Sequence, residues 1–415
     1  MALPEYVRPQ KHNSWFNVSP LRDLTRASAQ RVPFLDSFVT VSPVAESPRF
    51  AVLYEGRLPL RVSEHFGFLC AWFGDDLENP AWSFPELFPN PYAGEFVISR
   101  PRIFHDTNIL DLIENNGDLI HFRTVHRWLT VKLCDYTYDE RAFRLKMSGK
   151  IQYGKSADSA LKRRLAAAMP VWQYSQELAF HGPGFGAGQV SADMGIEAQI
   201  VLAFTPVGER DLKLHIAANV NEATLPRPLR WMDKIARRAL IHRAFSWVVG
   251  KAGLDDTDGD YRIWRHKRSL SDPKLLSSEA DILRIREWMA QYYLRDFVQP
   301  APVDARAPAW QLLALERDIV PERVNTFRVS GEELIAYNTS DGSLRVFEAH
   351  CPHQGAHLGH GGRLQDDCVG CPFHEFYFDR DGAFVGTSPG GKVRPHMKLK
   401  IIPHRRAGQR IEVLV

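Results

Sequence analysis

The chain lacks several features that would narrow its role at once. It carries no strong charge of one sign: 52 lysines and arginines stand against 49 aspartates and glutamates, a formal net charge of +3 at pH 7. So even a balance leaves no basic field for a nucleic-acid backbone. No uncharged apolar run reaches about 18 residues, so no membrane span is expected. The opening MALPEYVRPQK sets a glutamate and two prolines where an export signal keeps its apolar run. Cysteine is scarce and odd in number, five in all. That suits a reduced, cytoplasmic compartment and a metal better than a disulfide frame. No GxGxxG loop appears, so this chain is not expected to bind a nicotinamide nucleotide itself. Internal repeats and low-complexity tracts are also missing.

What is present is ordinary in bulk and uneven in detail. Apolar residues make up 44% and charged residues 24% of 415 positions, the composition of a globular protein long enough for two cores. FVQPAPVDARAPAW, at 297–310, has three prolines and no apolar periodicity and reads as a linker. Three segments follow from it: residues 1–297, a linker at 298–309, and 310–415. The last contains short apolar stretches, ERVNTFRVS, EELIAYNT, LRVFEAH and LKIIPH, broken by SDGS and DRDGAF. It is expected to be a small all-β domain.

The first segment is mixed. FAVLYEG, FGFLCAWFG, FRLKMSGKIQYG, IEAQIVLAFTPV and LKLHIAANV read as strands. NILDLIENNGDLIHFRTVH (108–126) reads as one helix, 228–250 as a longer one, and SSEADILRIREWMAQYYLRDF as a third, capped by Ser277 or Ser278. The expected fold class is α+β: a helix-covered antiparallel sheet followed by the β domain.

The cysteines are not spread evenly. HCPHQGAHLGHGGRLQDDCVGCPFHEF, at 350–376, holds three of the five cysteines together with five histidines. Its tightest pairing is Cys351-Pro-His353 and Cys371-Pro-Phe-His374, two short loops each offering one thiolate and one imidazole. Two cysteines and two histidines suit tetrahedral zinc. They suit equally a [2Fe–2S] cluster with the cysteines on one iron and the histidines on the other. The mixed spacing within each loop favours the cluster, because zinc fingers usually pair Cys with Cys and His with His. His357 and His360 fall outside the pattern and read as surface loop or second shell, and Cys368, in a polar turn, as a bystander.

At these residues the sequence resembles the Rieske iron–sulfur family, over about 100 residues. CPHQGAHLGHG and CPFHEFYFDRDGAF match its two cluster loops. Respiratory Rieske proteins add a loop-stapling disulfide at the positions that are Ala356 and Phe373 here, so the resemblance is to the oxygenase and ferredoxin branches. Glu375 stands where oxygenases usually have glycine.

A ferredoxin would end at about 100 residues, so the preceding segment should hold a partner site. Asp118-x2-His121-x4-His126 places two imidazoles near one helical face. With a carboxylate from elsewhere they form the facial triad of non-haem Fe(II) oxygenases. Glu114-Asn115-x2-Asp118-x2-His121-x4-His126 resembles the iron motif of Rieske non-haem oxygenases. The resemblance implies that His121 and His126 bind a mononuclear iron and that Asp118 is a bridge to a Rieske histidine, His374, of a neighbouring subunit. Downstream, GLDDTDGDYRIWRHK offers four aspartates. In the ketosteroid-hydroxylase-like branch the ligand aspartate is followed, after two intervening residues, by IW, which matches Asp260, with Asp256 and Asp258 as alternatives.

Taken together, the resemblance implies a terminal oxygenase with catalytic domain first and Rieske domain last, a circular permutation of the usual order. LRVSEHFGFLCAWFGDDLENPAW (60–82) resembles the segment that normally follows the Rieske loops. Electrons would come from NAD(P)H through a separate flavin reductase or ferredoxin, and the family implies a homotrimer. A fairly large apolar or aromatic substrate would be hydroxylated, desaturated or demethylated. Ring cis-dihydroxylation is the alternative, and an electron carrier fused to a binding module is the non-enzymatic one. The pocket is expected around 190–220 and 228–250. Arg237, Arg238 and Arg243 could meet an acidic substrate, although a solvated basic face is the commoner meaning.

Overall fold

A computed structural model describes residues 12–45, 48–84, 96–139, 141–152, 171–193, 196–208, 210–221, 259–294 and 307–415, with isolated positions between 224 and 243. These divide into two compact units. One comprises the described residues of 12–261 and 281–294, the other those of 262–280 and 307–415.

The first unit is built on an eight-stranded antiparallel sheet. Thr130–Tyr138, Ala142–Gln152, Val171–His181, Phe185–Ala192, Ile196–Val207 and Asp211–Val220 follow one another as hairpin neighbours. Val97–Ile98 and Arg102–Phe104 both pair with the last of these. Strand 142–152 shows why such a sequence makes a half-covered sheet: Phe143, Leu145 and Met147 are buried while Arg144 and Lys146 between them are exposed. On the covered face Phe143 lies opposite Phe180 in register, with ring centroids 5.5 Å apart. Two smaller sheets, 30–34/37–43/50–54/58–59 and 14–20/68–73/62–65, enclose a second core of Phe16, Phe34, Val39 and Leu69.

Strand dominates among the described residues. The helices are α1 (Ile109–Gly117), α2 (Leu119–Thr124), α3 (Asp260–Trp264) and α4 (Ala280–Ala290). They are short; α4 packs on the sheet, with Trp288 5.9 Å from Phe143, and the described residues do not show a fuller helical cover. Most of the helix expected at 228–250 lies outside the described residues, as do Arg237 and Arg238. The helix expected over 108–126 is two helices, because the chain leaves helical geometry at Asp118 (φ −89°, ψ 95°). The helix from Ser277 begins as a 3-10 turn, Ser277–Glu279, and becomes α-helical at Ala280.

The second unit is all-β between 307 and 415 apart from one 3-10 turn, Glu316–Asp318. Three sheets make it: 310–315/410–414/404–407, 325–329/332–338/344–348 and 363–365/368–370/377–378/383–386/394–398. Its core contains Leu334, Ala336, Val346, Ile411 and Val413. LKIIPH is not a strand as expected. Leu399 N–H donates to Gly382, Lys400 accepts from Glu348, and Ile402 N–H donates to Val346. This segment changes sheets instead of extending one, and Arg394–Lys398 just before it forms the strand.

No helix among the described residues is long and apolar enough to cross a membrane.

Candidate metal centres

In the first unit the break between α1 and α2 positions the site. Asp118 ends α1 and caps α2, its Oδ1 accepting from Ile120 N–H (3.0 Å) and His121 N–H (3.2 Å). That is the usual work of an aspartate at a helix N-terminus. The same residue's carbonyl meets Nδ1 of His121. A carbonyl can only accept, so Nδ1 carries the proton and the lone pair of His121 sits on Nε2. Asn115 Nδ2 lies 3.1 Å from that Nε2. His126 lies just beyond α2, its backbone N–H bonded to the His121 carbonyl.

Asp260, first residue of α3, comes from 134 positions beyond His126 in the sequence, and its Oδ2 lies 3.1 Å from His126 Nε2. Tyr261 anchors this end of α3 by packing on Phe104 (5.3 Å) and accepting from His105 N–H. One donor atom each from His121, His126 and Asp260 lies within 4.8 Å of the others. Asp260 Oδ1 is buried and meets no hydrogen-bond donor. Buried carboxylate oxygens seldom go without a partner, so this one fits a cation. Asp255, Asp256 and Asp258 lie outside the described residues.

Charge in this pocket is already arranged for a metal. Burial pushes His121 down to about 4, against the pull of Asp260. It would raise Asp260, yet His126 and His121 hold that carboxyl below its ordinary value. Burial lowers His126 too, but Asp260 outweighs it and the net direction is upward. Two imidazoles and one ionised carboxylate, buried together, are the donor set for a first-row divalent ion with positions left open.

α1 is held down by an ion pair. Arg286 on α4 meets Glu114 on α1, and both are buried. Gly117 closes α1 in a tight place: a Cβ there would come within 2.3 Å of Tyr136 Oη and 2.6 Å of Ile285 Cδ1, and those side-chain ends would have to shift.

In the second unit the two loops fold alike. Cys351 N–H donates to Ala356 and its carbonyl accepts from Gly355 N–H (both 2.9 Å). Cys371 N–H donates to Phe376 (2.9 Å) and its carbonyl accepts from Glu375 N–H (3.0 Å). Each turn needs a left-handed residue at its fourth step, φ 79° at Gly355 and 54° at Glu375. That accounts for the glycine usually found where Glu375 stands. Gly355 has a second constraint, because a Cβ there would lie 1.7 Å from the Arg268 carbonyl.

These loops bring Cys351, His353, Cys371 and His374 together, all buried and none in a disulfide. The Nδ1 atoms of His353 and His374 are 2.9 Å apart. The two nitrogens thus face one another closely enough to serve one ion. Burial pushes both thiols up. For Cys371 the Cys351 S–H and the His374 ring outweigh it, and its thiol falls below the usual range. Two sulfurs and two Nδ1 atoms facing inward fit a [2Fe–2S] cluster.

One contributor is not visible from motif spacing. Glu279 Oε2 lies 2.7 Å from His353 Nε2 and accepts from Leu276 N–H at 2.8 Å. It holds the outer nitrogen of a candidate ligand, as carboxylates commonly do at metal-bound histidines. Of the two readings of His357, its burial rules out only the surface loop, and Cys368 is buried in strand Cys368–Gly370.

The Rieske [2Fe-2S] domain profile matches residues 309–397. The profile of the 3-ketosteroid 9α-hydroxylase C-terminal domain matches 71–293, more than half of the chain. The chain belongs to the ketosteroid-hydroxylase type of Rieske oxygenase. Its catalytic-domain match precedes its Rieske match, so the order is catalytic first and Rieske last. The family's cofactors are the Rieske cluster and a mononuclear non-haem iron.

Among relatives, a cholesterol 7-desaturase of Ciona intestinalis is 32% identical over 104 residues, 25% of this chain and 22% of that protein. The oxygenase component of a Rhodococcus rhodochrous 3-ketosteroid-9-alpha-monooxygenase is 29% identical over 104 residues, 25% of this chain and 26% of that protein. The chain thus spans about a quarter of the length of these relatives in matched sequence. Dicamba monooxygenase bound to 3,6-dichlorosalicylic acid aligns in structure over 69% of this chain and 97% of that chain, at TM-score 0.45 and 12% identity.

Proposed function

We propose that this Rieske oxygenase is a terminal oxygenase that hydroxylates or desaturates a large, fused-ring apolar substrate of the steroid class. One observation carries the reading: His121, His126 and Asp260 converge on one buried point in a chain that also gathers two cysteines and two histidines. The substrate class rests on the relatives, whose names specify a sterol and a ketosteroid. Residues 1–297 are the catalytic domain, 298–309 the linker and 310–415 the Rieske domain in this reading.

Bound at their sites, the cluster would supply single electrons and the mononuclear iron O2 activation. The chain's residues supply the rest. His121, His126 and Asp260 hold the iron. The Asp118 carbonyl takes the Nδ1 proton of His121 and fixes the ring, so that Nε2 is left without a proton for the metal, which would displace the Asn115 amide now bonded there. Cys351, Cys371, His353 and His374 hold the cluster, and Glu279 fixes the outer nitrogen of His353. His374 is, in this reading, the histidine by which a neighbouring subunit's cluster reaches Asp118. From Asp118 the route to the iron is its own carbonyl and the His121 ring. The assembly is a homotrimer, and a separate ferredoxin or flavin reductase carries electrons from NAD(P)H.

The test is coupled turnover. With reductase and NAD(P)H, sterols or ketosteroids should trigger O2 uptake that matches product formed. His121→Ala should abolish turnover and keep the Rieske spectrum; surviving turnover would refute the triad. Asp118→Asn should retain both metals and slow electron transfer between them, and an unchanged rate refutes its bridging role.

A further inference from the structure

Five residues that the proposed oxygenase chemistry does not use form a second cluster of donors in the Rieske unit. His350 and Glu333 lie with Nε2 and Oε2 3.4 Å apart. One donor atom each from Glu333, His350 and His357 lies within 4.8 Å of the others. The rings of His350 and His357 stand edge to face at 5.0 Å, and His360 follows with its ring 4.4 Å from His357. His266 stacks on His360 at 3.6 Å.

Packing alone accounts poorly for this group. A protonated histidine on glutamate makes a hydrogen bond of about 2.7–2.9 Å, and 3.4 Å is too long for one. His350 Nδ1 is buried with no partner in hydrogen-bond geometry, the His266 backbone being the other polar group that acts on the ring. By contrast, two donors each about 2.0–2.1 Å from one ion at a tetrahedral angle stand roughly 3.3–3.4 Å apart. The His350–Glu333 spacing is that of two ligands across an ion.

We propose that Glu333, His350 and His357 form a site for a divalent transition-metal ion of the zinc type, with His360 or solvent completing it. Neutral imidazoles and one carboxylate are the donors such an ion takes, where magnesium and calcium prefer oxygen alone. The glutamate side chain is 42% exposed and that of His350 only 4%, so the ion enters from the Glu333 side and is held by the rings beneath. His357 Nδ1 at present accepts from Gly359 N–H at 3.1 Å. Ligation through that ring displaces one ordinary hydrogen bond, a small loss beside a metal–imidazole bond. The site is separate from the cluster loops' own donors, although His350 adjoins Cys351, and it does not depend on the oxygenase reading.

Zinc binding to the tag-free, fully iron-loaded protein tests this. The protein is dialysed against zinc ion buffered by a chelator, and zinc and iron are both counted by mass spectrometry. One zinc per chain is expected, with iron content and Rieske absorption unchanged. Glu333→Gln, at an exposed side chain, should weaken zinc binding roughly tenfold or more, and His357→Gln should abolish it. The proposal is overturned if no zinc binds, if zinc displaces iron, or if Glu333→Gln binds zinc as the native protein does.

Discussion

At the scale of single residues, the most informative is the one that breaks its family's habit. Glu375 occupies a left-handed turn position, φ 54°, that costs a side-chain-bearing residue on the order of 1 kcal/mol. Glu375→Gly relieves that strain, and a higher thermal midpoint of the Rieske unit would show that the strain exceeds what the glutamate side chain contributes. A lower midpoint would mean that the glutamate side chain makes a contact worth more than the strain. Gly355→Ala should do the opposite and prevent cluster assembly, because its Cβ meets a backbone carbonyl that cannot move aside. Glu279 makes a different prediction. A buried carboxylate 2.7 Å from His353 favours the more positive, oxidised cluster. Glu279→Gln should raise the cluster's midpoint potential in a redox titration with the Rieske absorption retained. A potential unchanged within error would show the contact to be packing only.

Legibility also divides by residue. Cys351, His353, Cys371 and His374 could be read from spacing because each pair lies in one loop, where sequence distance is nearly spatial distance. Asp260 could be singled out from its neighbours only by the IW that follows it. Glu279 could not be found: 74 positions separate it from His353, and SSEAD has the form of an ordinary helix start.

At the scale of elements, the decisive event is the interruption at Asp118. The apolar pattern from Ile109 to Val125 is continuous enough to suggest one helix. α1, however, is buried nearly all round, Asp111, Glu114 and Asn115 included, so periodicity carried little information about its end. A polar side chain returning to cap the next turn ended it. The outcome matters, because the break gives His121 its Asp118 carbonyl. The buried Arg286–Glu114 pair holds α1 against α4. Removing one partner of such a pair leaves an unpaired buried charge, at about 3–5 kcal/mol. Arg286→Met should therefore lower the denaturation midpoint by that order and loosen iron binding, while Arg284→Met, at an exposed neighbour, should do neither.

At the scale of the whole molecule, buried histidines set an acid limit. His215 is buried, and its Nδ1 lies 2.9 Å from the amide nitrogen of Asn17, which can only donate, so the ring is neutral. Burial, with Lys213 and Arg22, pushes it down to about 3. Burial likewise pushes His181 down to about 4. Unfolded, both titrate near 6.5. Between that value and about 4 the unfolded chain binds more protons, so stability is lost as pH falls through this window. Chemical denaturation at pH 7 and pH 5 should show the loss, and a flat profile would contradict these assignments.

The order of the two domains was readable from the sequence, because each set of motifs occupies its own stretch. The break of the 108–126 helix at Asp118 was not, and most of the helix expected at 228–250 lies outside the described residues. The account as a whole stands on two metal centres in one chain. Iron counting on anaerobically reconstituted protein tests that most directly, beside acid-labile sulfide. The account predicts three irons and two sulfides per chain, falling to two irons and two sulfides in His121→Ala. Two irons in the native protein, unchanged by that substitution, would contradict it.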